Sequence, residues 1–331
     1  MVRKGLLQIE WQQQKWPLIV SFLFICFYLP INLFMDYKSW QTQTDVYKSI
    51  NFIASFDGRV SFYLLVTVAF AVTIAISQIG GERAKGNFDY YLTLPYSRGE
   101  MFVSKAVVGI LTLLSGIILS YSLTGMILLF SNAHSVFFHP FFGYLSIVVL
   151  MAYALTIAAG SLTGNVFAQG LTAFSVAILP VLLTFVVAMN IGVLNERLFR
   201  TDSFYLERIM EQVVSYSPIF YIFYGGIAFG PINMDFVSLW VPALYMILFF
   251  IIGYLAFVKQ PYERKGNFFL LKQLNRPVQL LVIIVAVLGF SGFVFFSSNH
   301  SFGGYLIGAV IGAVIGLLIT KFTIFKKTKQ A

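Results

Sequence analysis

Eight long apolar runs dominate this sequence, and they restrict its fold more than any other feature. Each run is about as long as the ~20-residue helix that crosses the hydrocarbon core of a bilayer. Because a backbone away from water must satisfy its own hydrogen bonds, we predict an all-α polytopic membrane protein with about eight transmembrane helices. The predicted spans cover residues 17–35, 60–79, 106–130, 141–162, 168–190, 238–258, 278–297 and 303–320.

Composition supports this assignment independently of the runs. Hydrophobic residues make up 59% of the chain and charged residues 11%, and the mean hydropathy is +0.84. These values lie outside the usual range of soluble domains. The first run is too long for the apolar region of a signal peptide, and no small-residue cleavage site follows it. We expect the sole cysteine, Cys26, to fill space in this span as a small apolar side chain.

The positive charges indicate how the spans are oriented. With both termini in the cytoplasm and the spans in the cell (plasma) membrane, 16 of the 22 lysines and arginines lie inside, as the positive-inside rule requires. The acidic residues divide the other way, five inside and eight outside. Topology and attraction to anionic membrane lipid therefore explain the net charge of +9, which gives no support to nucleic-acid binding.

A polar, cation-bearing segment, residues 81–105, separates the second and third spans. Its charges cannot stay in the bilayer core, so we expect a loop at the cytoplasmic face. Within it, Phe88, Tyr91 and Leu92 follow the i, i+3, i+4 spacing of a short amphipathic helix. Pro95 ends that helix. The sequence therefore predicts a short helix across the inner mouth of two spans.

Ser97 and Glu100 form an S-x-x-E pattern directly before the third span. In a capping box of this kind, the serine hydroxyl and the glutamate carboxylate each accept a hydrogen bond from a main-chain N–H at the helix start. We therefore expect the third helix to begin at this point.

The same loop carries a resemblance to a known family. Its ordered residues are Glu82, Gly86, Leu92-Thr93-Leu94-Pro95, Ser97-Arg98 and Lys105. This order is similar to the loop after the second span in the permeases of type-2 ABC exporters. Asn87 stands where that family usually has Thr or Ser, and Tyr91-Leu92 replaces a common leucine pair. Paired permeases of Gram-positive acetoin-utilisation-type transporters are similar eight-span proteins.

The resemblance implies a role for the loop. In such permeases this segment is the coupling helix that docks on a separate ABC ATPase subunit. The ATPase-coupling residues that it implies are Glu82, Arg83, Gly86, Phe88, Tyr91, Leu92, Leu94, Pro95 and Arg98. The alternative is an ordinary amphipathic loop that covers the helix bundle. Because the chain has no G-x-x-x-x-G-K-[ST] phosphate loop, we expect ATP and Mg to be bound by the partner and no cofactor in this chain.

The resemblance also divides the chain. Residues 17–258 are similar to a complete six-span permease core, which includes extracellular re-entrant helices in residues 191–237. Residues 1–16 are expected to form a cytoplasmic interfacial helix, with Leu7 and Trp11 on its membrane-facing side.

The predicted outer region has two parts. An apolar stripe over residues 206–213 predicts a helix, with Thr201, Asp202 or Ser203 available as its cap. The following run, residues 217–230, is too short to cross a bilayer, so we expect it to enter the membrane only part-way.

The charged sequence of the loop recurs, one residue shorter, in the cytoplasmic connector 259–277. Glu263, Arg264, Lys265 and Gly266 repeat the residues that leave the second span. A charged cluster followed by a glycine suits the end of a helix. The repeat makes these four residues a second candidate contact with the ATPase. The alternative is that two helix ends acquired a favourable exit sequence independently.

Residues 278–331 form a C-terminal transmembrane hairpin and a basic tail beyond the six-span core. The last span has a glycine every four residues, at Gly304, Gly308, Gly312 and Gly316. Small residues at this spacing allow another helix backbone to approach closely. Packing on the seventh span of this chain and packing on a second permease, homologous or identical, both fit the pattern.

The distribution of ionisable residues argues against other mechanisms. The predicted spans contain no Asp, Glu, Lys, Arg or His in their interiors, and an ion-coupled carrier generally needs such groups. The three histidines fall in outer loops, without the spacing of a metal site or a catalytic triad. We therefore predict neither a metal site nor catalytic residues.

Three functions remain. The first is the transmembrane permease subunit of an ABC transporter, which is not itself an enzyme and moves an apolar or amphipathic substrate with ATP hydrolysed by a separate subunit. The second is an ABC-type signalling or envelope-remodelling complex without a transported substrate. The third is a stand-alone membrane enzyme or carrier.

Overall fold

A computed structural model describes residues 4–40, 43–86, 95–131, 138–194, 204–228, 238–261 and 266–325 of the protein. Its long helices are α1 (Lys4–Trp40), α2 (Asp45–Ile76), α3 (Arg98–Ser131), α4 (Phe138–Leu162), α5 (Val166–Leu194), α6 (Phe204–Ser215), α7 (Pro218–Ala228), α8 (Trp240–Lys259), α9 (Asn275–Ser297) and α10 (Phe302–Thr323).

Eight helices within the described residues are long and apolar enough to cross a membrane. They are α1 to α5 and α8 to α10. The prediction of an all-α polytopic membrane protein with about eight spans is confirmed. The two shorter helices, α6 and α7, lie between the fifth and sixth spans, where the sequence predicted a helical stripe and a short apolar run. The predicted caps of α6, residues 201–203, lie outside the described residues.

The first helix runs across the predicted boundary between residues 16 and 17. Residues 1–16 were expected to form a separate interfacial helix, but from Lys4 onward they continue without a break into the first span, through Pro17 and Pro30. One face of this continuous helix is buried at Leu6, Glu10, Gln14 and Leu18. Leu7 and Trp11, which were expected to face the membrane, lie on a different face of the helix, and Trp11 is 47% exposed.

The first compact unit comprises residues 1–161 and 220–259. Helix α4 is its most buried helix and is enclosed over most of its length. Helix α1 packs against α2 and α3, and α3 also packs against α8. Gly116 marks the close approach of α3 to α1, since a Cβ atom there would lie 3.1 Å from the Ile25 Cγ2 atom.

The second compact unit comprises residues 162–219 and 260–331. In this unit α5 packs against α6 and α9, and α9 packs against α10. Asn190 of α5 links the three spans, because its Nδ2 donates to the Leu288 carbonyl at 3.0 Å and its Oδ1 accepts from the Tyr305 hydroxyl at 2.8 Å. The sequence placed the fifth span in a core without the last two spans. The structure instead groups these three spans in one unit.

Candidate coupling site

The base of the predicted coupling loop is formed by its two ends. Helix α2 continues through a π-helical turn, Ser77–Gly81, into one more α-helical turn, Glu82–Ala84. On the other side, α3 begins at Arg98. Residues 87–94 lie outside the described part of the chain. The predicted amphipathic helix and four predicted coupling residues fall there, namely Phe88, Tyr91, Leu92 and Leu94.

A buried ionic cluster holds this base together. The Lys105 Nζ atom lies 2.7 Å from Glu10 Oε2 and 2.5 Å from Glu82 Oε2, and each of the three side chains is at most 2% exposed. One ammonium group therefore bridges two carboxylates that belong to α1 and to the end of α2. A buried charge without a partner is very costly, so the three groups depend on one another.

Gln14 extends the cluster along α1. Its Nε2 group donates to Glu82 Oε1 at 2.9 Å and to the main-chain carbonyl oxygen of Ser77 at 3.1 Å. Glu10 and Gln14 are four residues apart and therefore lie on the same face of the helix. Helix α1 consequently supplies Gln14, which bonds Glu82 directly, and Glu10, which shares the Lys105 ammonium with Glu82.

Gln78 and Tyr153 connect the cluster to α3 and α4. The Gln78 Nε2 atom donates to the main-chain carbonyl of Lys105 at 3.0 Å, and the Tyr153 hydroxyl donates to Gln78 Oε1 at 2.6 Å. Both side chains are fully buried. Buried polar groups in a low-dielectric setting are held firmly only when they are paired in this way.

Two arginines attach the loop ends to the ends of other helices. Arg83 is 5% exposed, and its Nη1 donates to the Gly160 carbonyl, in the last turn of α4, at 2.6 Å. Arg98 Nη1 donates to the Val258 carbonyl, in the last turn of α8, at 3.2 Å. A cation is favourable at a helix C-terminus, where carbonyl groups lack intrahelical partners.

The predicted capping box is present. The Ser97 main-chain N–H donates to Glu100 Oε2 at 3.0 Å, and the Glu100 N–H donates to Ser97 Oγ at 3.2 Å. Before the loop, Gly86 has a φ of +76°, a left-handed conformation that a glycine adopts without the steric cost of a Cβ atom. Pro95 is exposed beside the capping box.

The structure thus separates the predicted coupling residues into two groups. Glu82 and Arg83 point into the protein and bind other helices of the same chain, so they are placed to position the loop. Pro95 is exposed and Arg98 is partly exposed, and Lys85, which was not among the predicted coupling residues, is exposed as well. Among the described residues of the loop, the surface accessible to a partner therefore includes Pro95 and part of Arg98, but not Glu82 or Arg83.

The second candidate contact lies in the connector of the second unit. Gly266 has a φ of +87°, the same left-handed conformation as its counterpart in the first loop. The charged residues Glu263, Arg264 and Lys265 lie outside the described residues. After Gly266 the connector pairs with the α4–α5 turn, where the Leu270 N–H donates to the Leu162 carbonyl at 2.9 Å.

The glycine stripe of α10 is occupied by a helix of the same chain. Gly304, Gly308, Gly312 and Gly316 are all buried. A Cβ atom at Gly308 would lie 2.9 Å from the main-chain carbon of Phe290 in α9. The structure therefore favours packing on the seventh span over packing on a second permease.

Sequence reasoning missed the roles of Glu10, Gln14 and Lys105. Lys105 was noted only as a cation of the positive-inside pattern and as the last residue of the family resemblance, and its acidic partners are 95 and 23 residues away. One signal was present, because Glu10 and Gln14 continue the four-residue spacing of Leu6 and Leu18. Polar residues in phase with a buried apolar stripe indicate polar partners in the protein interior.

The architecture and the loop base define a multi-pass helical membrane protein in which one polar loop is tied to the ends of several spans. No protein-family model matches the sequence. Over 334 residues, 99% of both proteins, the chain is 38% identical to "Probable ABC transporter permease YtrD" of Bacillus subtilis (strain 168). It is 34% identical to "Probable ABC transporter permease YtrC" of the same strain over 340 residues, 99% of this chain and 100% of that relative. The chain belongs to the ABC transporter permeases.

Proposed function

We propose that this chain is the membrane-spanning subunit of a type-2 ABC exporter that moves an apolar or amphipathic substrate. ATP would be hydrolysed by two separate ATPase subunits, with Mg bound there. The observation that carries the proposal is the anchoring of both ends of loop 81–105. Its base is bonded to α1, α3, α4 and α8.

This anchoring supports a mechanical role for the loop. A partner that pushes a loop can change a helix bundle only if the loop is firmly attached to the helices. Arg83 bonds the main chain of α4, and Glu82 bonds side chains of α1 and α3. Displacement of the loop by an ATPase would therefore act on several spans at once.

The nature of the spans supports the proposed substrate class. Two apolar cavities of about 480 and 550 Å³ lie along the α1–α3 seam. The first is lined by Trp11 and Phe22 among others, and the second by Phe34 and Met126 among others. Such surfaces suit hydrocarbon groups better than ions. The cavities would face either membrane lipid or a second permease, homologous or identical.

The orientation belongs to the same proposal. Both termini, loop 81–105 and connector 259–277 would lie in the cytoplasm, and the protein would lie in the cell membrane. The connector residues Glu263, Arg264, Lys265 and Gly266 would form a second contact with an ATPase. The basis for this is the repeated sequence and the left-handed glycine that both copies share.

Affinity purification of the tagged chain from its native membrane tests the docking role. We expect a soluble protein with a Walker A loop to co-purify with the wild-type chain. Tyr91→Asp and Arg98→Glu should each reduce its recovery at least about tenfold, since charge reversal and burial of a charge at an interface are costly. Tyr47→Asp, at an exposed position on the predicted outer side, is the matched control and should recover the ATPase normally.

Two further results distinguish the other functions. Full ATPase recovery with both loop variants would refute the docking role. An ATP turnover rate that no apolar or amphipathic compound changes would favour a signalling or envelope-remodelling complex. Transport or catalysis by the purified chain without any ATPase would favour a stand-alone carrier or enzyme.

A further inference from the structure

The end of α2 contains an unusual structural element. Residues Ser77–Gly81 form a π-helical turn between two α-helical segments. A π-turn contains one residue more than the α-helical turn that it replaces. Such turns are rare in proteins, and those that occur are often at functional sites. Two glycines, Gly80 and Gly81, lie in this turn. Glycine tolerates a change of backbone conformation more readily than other residues.

Hydrogen bonds to three other helices hold the π-turn in place. Gln14 of α1 donates to the Ser77 carbonyl at 3.1 Å. Gln78, within the turn, donates to the Lys105 carbonyl of α3 and accepts from the Tyr153 hydroxyl of α4. These bonds satisfy main-chain and side-chain groups of a segment in which the regular i to i−4 ladder is interrupted.

The turn determines which way Glu82 faces. Glu82 follows the π-turn directly, and one residue of helical register corresponds to a rotation of about 100°. If the turn rewound as a regular α-helix, Glu82 would rotate away from the Lys105 ammonium by roughly that angle. Arg83 would rotate with it and leave the Gly160 carbonyl.

The ionic cluster is suited to such a change. Lys105 has two carboxylate partners, so it would keep Glu10 at 2.7 Å when Glu82 leaves. Glu82 would move toward the position that Arg83 now occupies, and Arg83 would move toward the side on which Ala84 is already exposed. Lys105 would thus keep a carboxylate partner and Arg83 would reach water, so neither cation would be left buried and unpaired.

We propose that the Ser77–Gly81 π-turn is the conformational switch that passes loop movement into the helix bundle. Gln14 and Lys105 are the positioning residues that hold its π form. Rewinding of the turn releases Glu82 and Arg83 together. Gly86, which has a left-handed φ, acts as a second hinge between the turn and the loop. This inference rests on the proposed function, because it requires that an ATPase displaces the loop.

Deletion of Gly81 provides the test. Removing one residue from a π-turn leaves a regular α-helix with the downstream residues facing as before, so the variant keeps the Glu82 contact but lacks the residue that the switch needs. We expect the deletion variant to bind the ATPase. The complex that it forms should hydrolyse ATP at least about tenfold more slowly than the wild-type complex. Gly143→Ala in α4 is the control outside the switch, because no heavy atom lies within 4 Å of a Cβ atom there, and the rate of its complex should stay within about twofold of wild type.

Hydrogen exchange in the wild-type complex provides a second test that needs no variant. The amides of residues 78–82 should exchange at different rates in the nucleotide-free and ATP-trapped states, whereas those in the middle of α4 should not. Wild-type turnover by the deletion variant would overturn the switch, and so would unchanged exchange at residues 78–82. Failure of the wild-type chain to bind any ATPase would instead overturn the proposed function.

Discussion

Gln14 Nε2 donates a hydrogen bond to Glu82 Oε1 at 2.9 Å, although the two residues are 68 positions apart in the chain. This bond joins the start of α1 to the base of loop 81–105. It explains why the first residues of the chain do not form an independent surface helix. Glu10 and Gln14 need buried polar partners, and only the bundle supplies them.

The first prediction concerns the central cation of the cluster. Lys105→Met leaves the carboxylates of Glu10 and Glu82 buried beside each other with no ammonium between them. Removal of one partner from a buried ion pair typically costs about 3–5 kcal/mol. We expect a loss of that size in the free energy of unfolding of the purified protein in detergent, measured by denaturant titration.

Two variants separate charge burial from loss of a side chain. The triple variant Glu10→Gln, Glu82→Gln, Lys105→Met removes all three charges and should recover most of the lost stability, because neutral isosteres are tolerated where single charges are not. Lys85→Met removes an exposed cation nearby and should change the free energy of unfolding by less than about 0.5 kcal/mol. A triple variant as unstable as Lys105→Met alone would contradict this account.

The second prediction concerns the two arginines that bind helix ends. Arg83→Met removes a buried, charge-assisted hydrogen bond to the Gly160 carbonyl and should cost about 1.5–3 kcal/mol. Arg98→Met removes a bond of similar type to the Val258 carbonyl, but at an exposed site, where it should cost less than about 1 kcal/mol. Thermal unfolding of both variants gives the comparison. Equal losses would show that burial does not set the strength of these bonds.

Much of the fold follows from local pattern. The eight apolar runs predict eight spans because length and hydropathy are properties of consecutive residues. The same holds for the capping box at Ser97 and Glu100 and for the short helices α6 and α7. Their positions in the structure match the sequence-based expectations.

The loop base could not be predicted in the same way. Its contacts join residues 23 to 95 positions apart, and the spacing of a single sequence does not record which helices are neighbours. Glu82 was identified from the motif of a docking loop, which describes residue order but not side-chain direction. In the same way, the hydrogen bonds of Asn190 in α5 join residues 98 and 115 positions away, in α9 and α10.

The third prediction concerns the glycine stripe. Gly308→Ala should force α9 and α10 apart, because its Cβ atom would lie 2.9 Å from main-chain atoms of Phe290 and Ser291. Overpacking of this kind typically costs about 1–3 kcal/mol. Gly303→Ala, five residues away and with only Ser301 Oγ near its Cβ at 3.5 Å, is the matched control. If both variants unfold at the wild-type temperature, the close approach of the two helices is not needed for stability.

The fourth prediction concerns membrane orientation, which the charge distribution sets. The proposed orientation places 16 of the 22 cations on the cytoplasmic side, so Lys85 should lie inside and Tyr47 outside. Both side chains are exposed, whereas the natural Cys26 is only 2% exposed. A single cysteine introduced at either position can therefore be labelled without a contribution from Cys26.

Labelling with a membrane-impermeant maleimide distinguishes the two orientations. In intact cells Tyr47→Cys should be labelled and Lys85→Cys should react only after permeabilisation, while the wild-type chain should stay unlabelled throughout. Lys85 is suitable because it adjoins the loop base without being bonded to Lys105 or Glu82. The reverse pattern would place loop 81–105 outside the cell, where no ATP-hydrolysing subunit could reach it, and the coupling role would then be untenable.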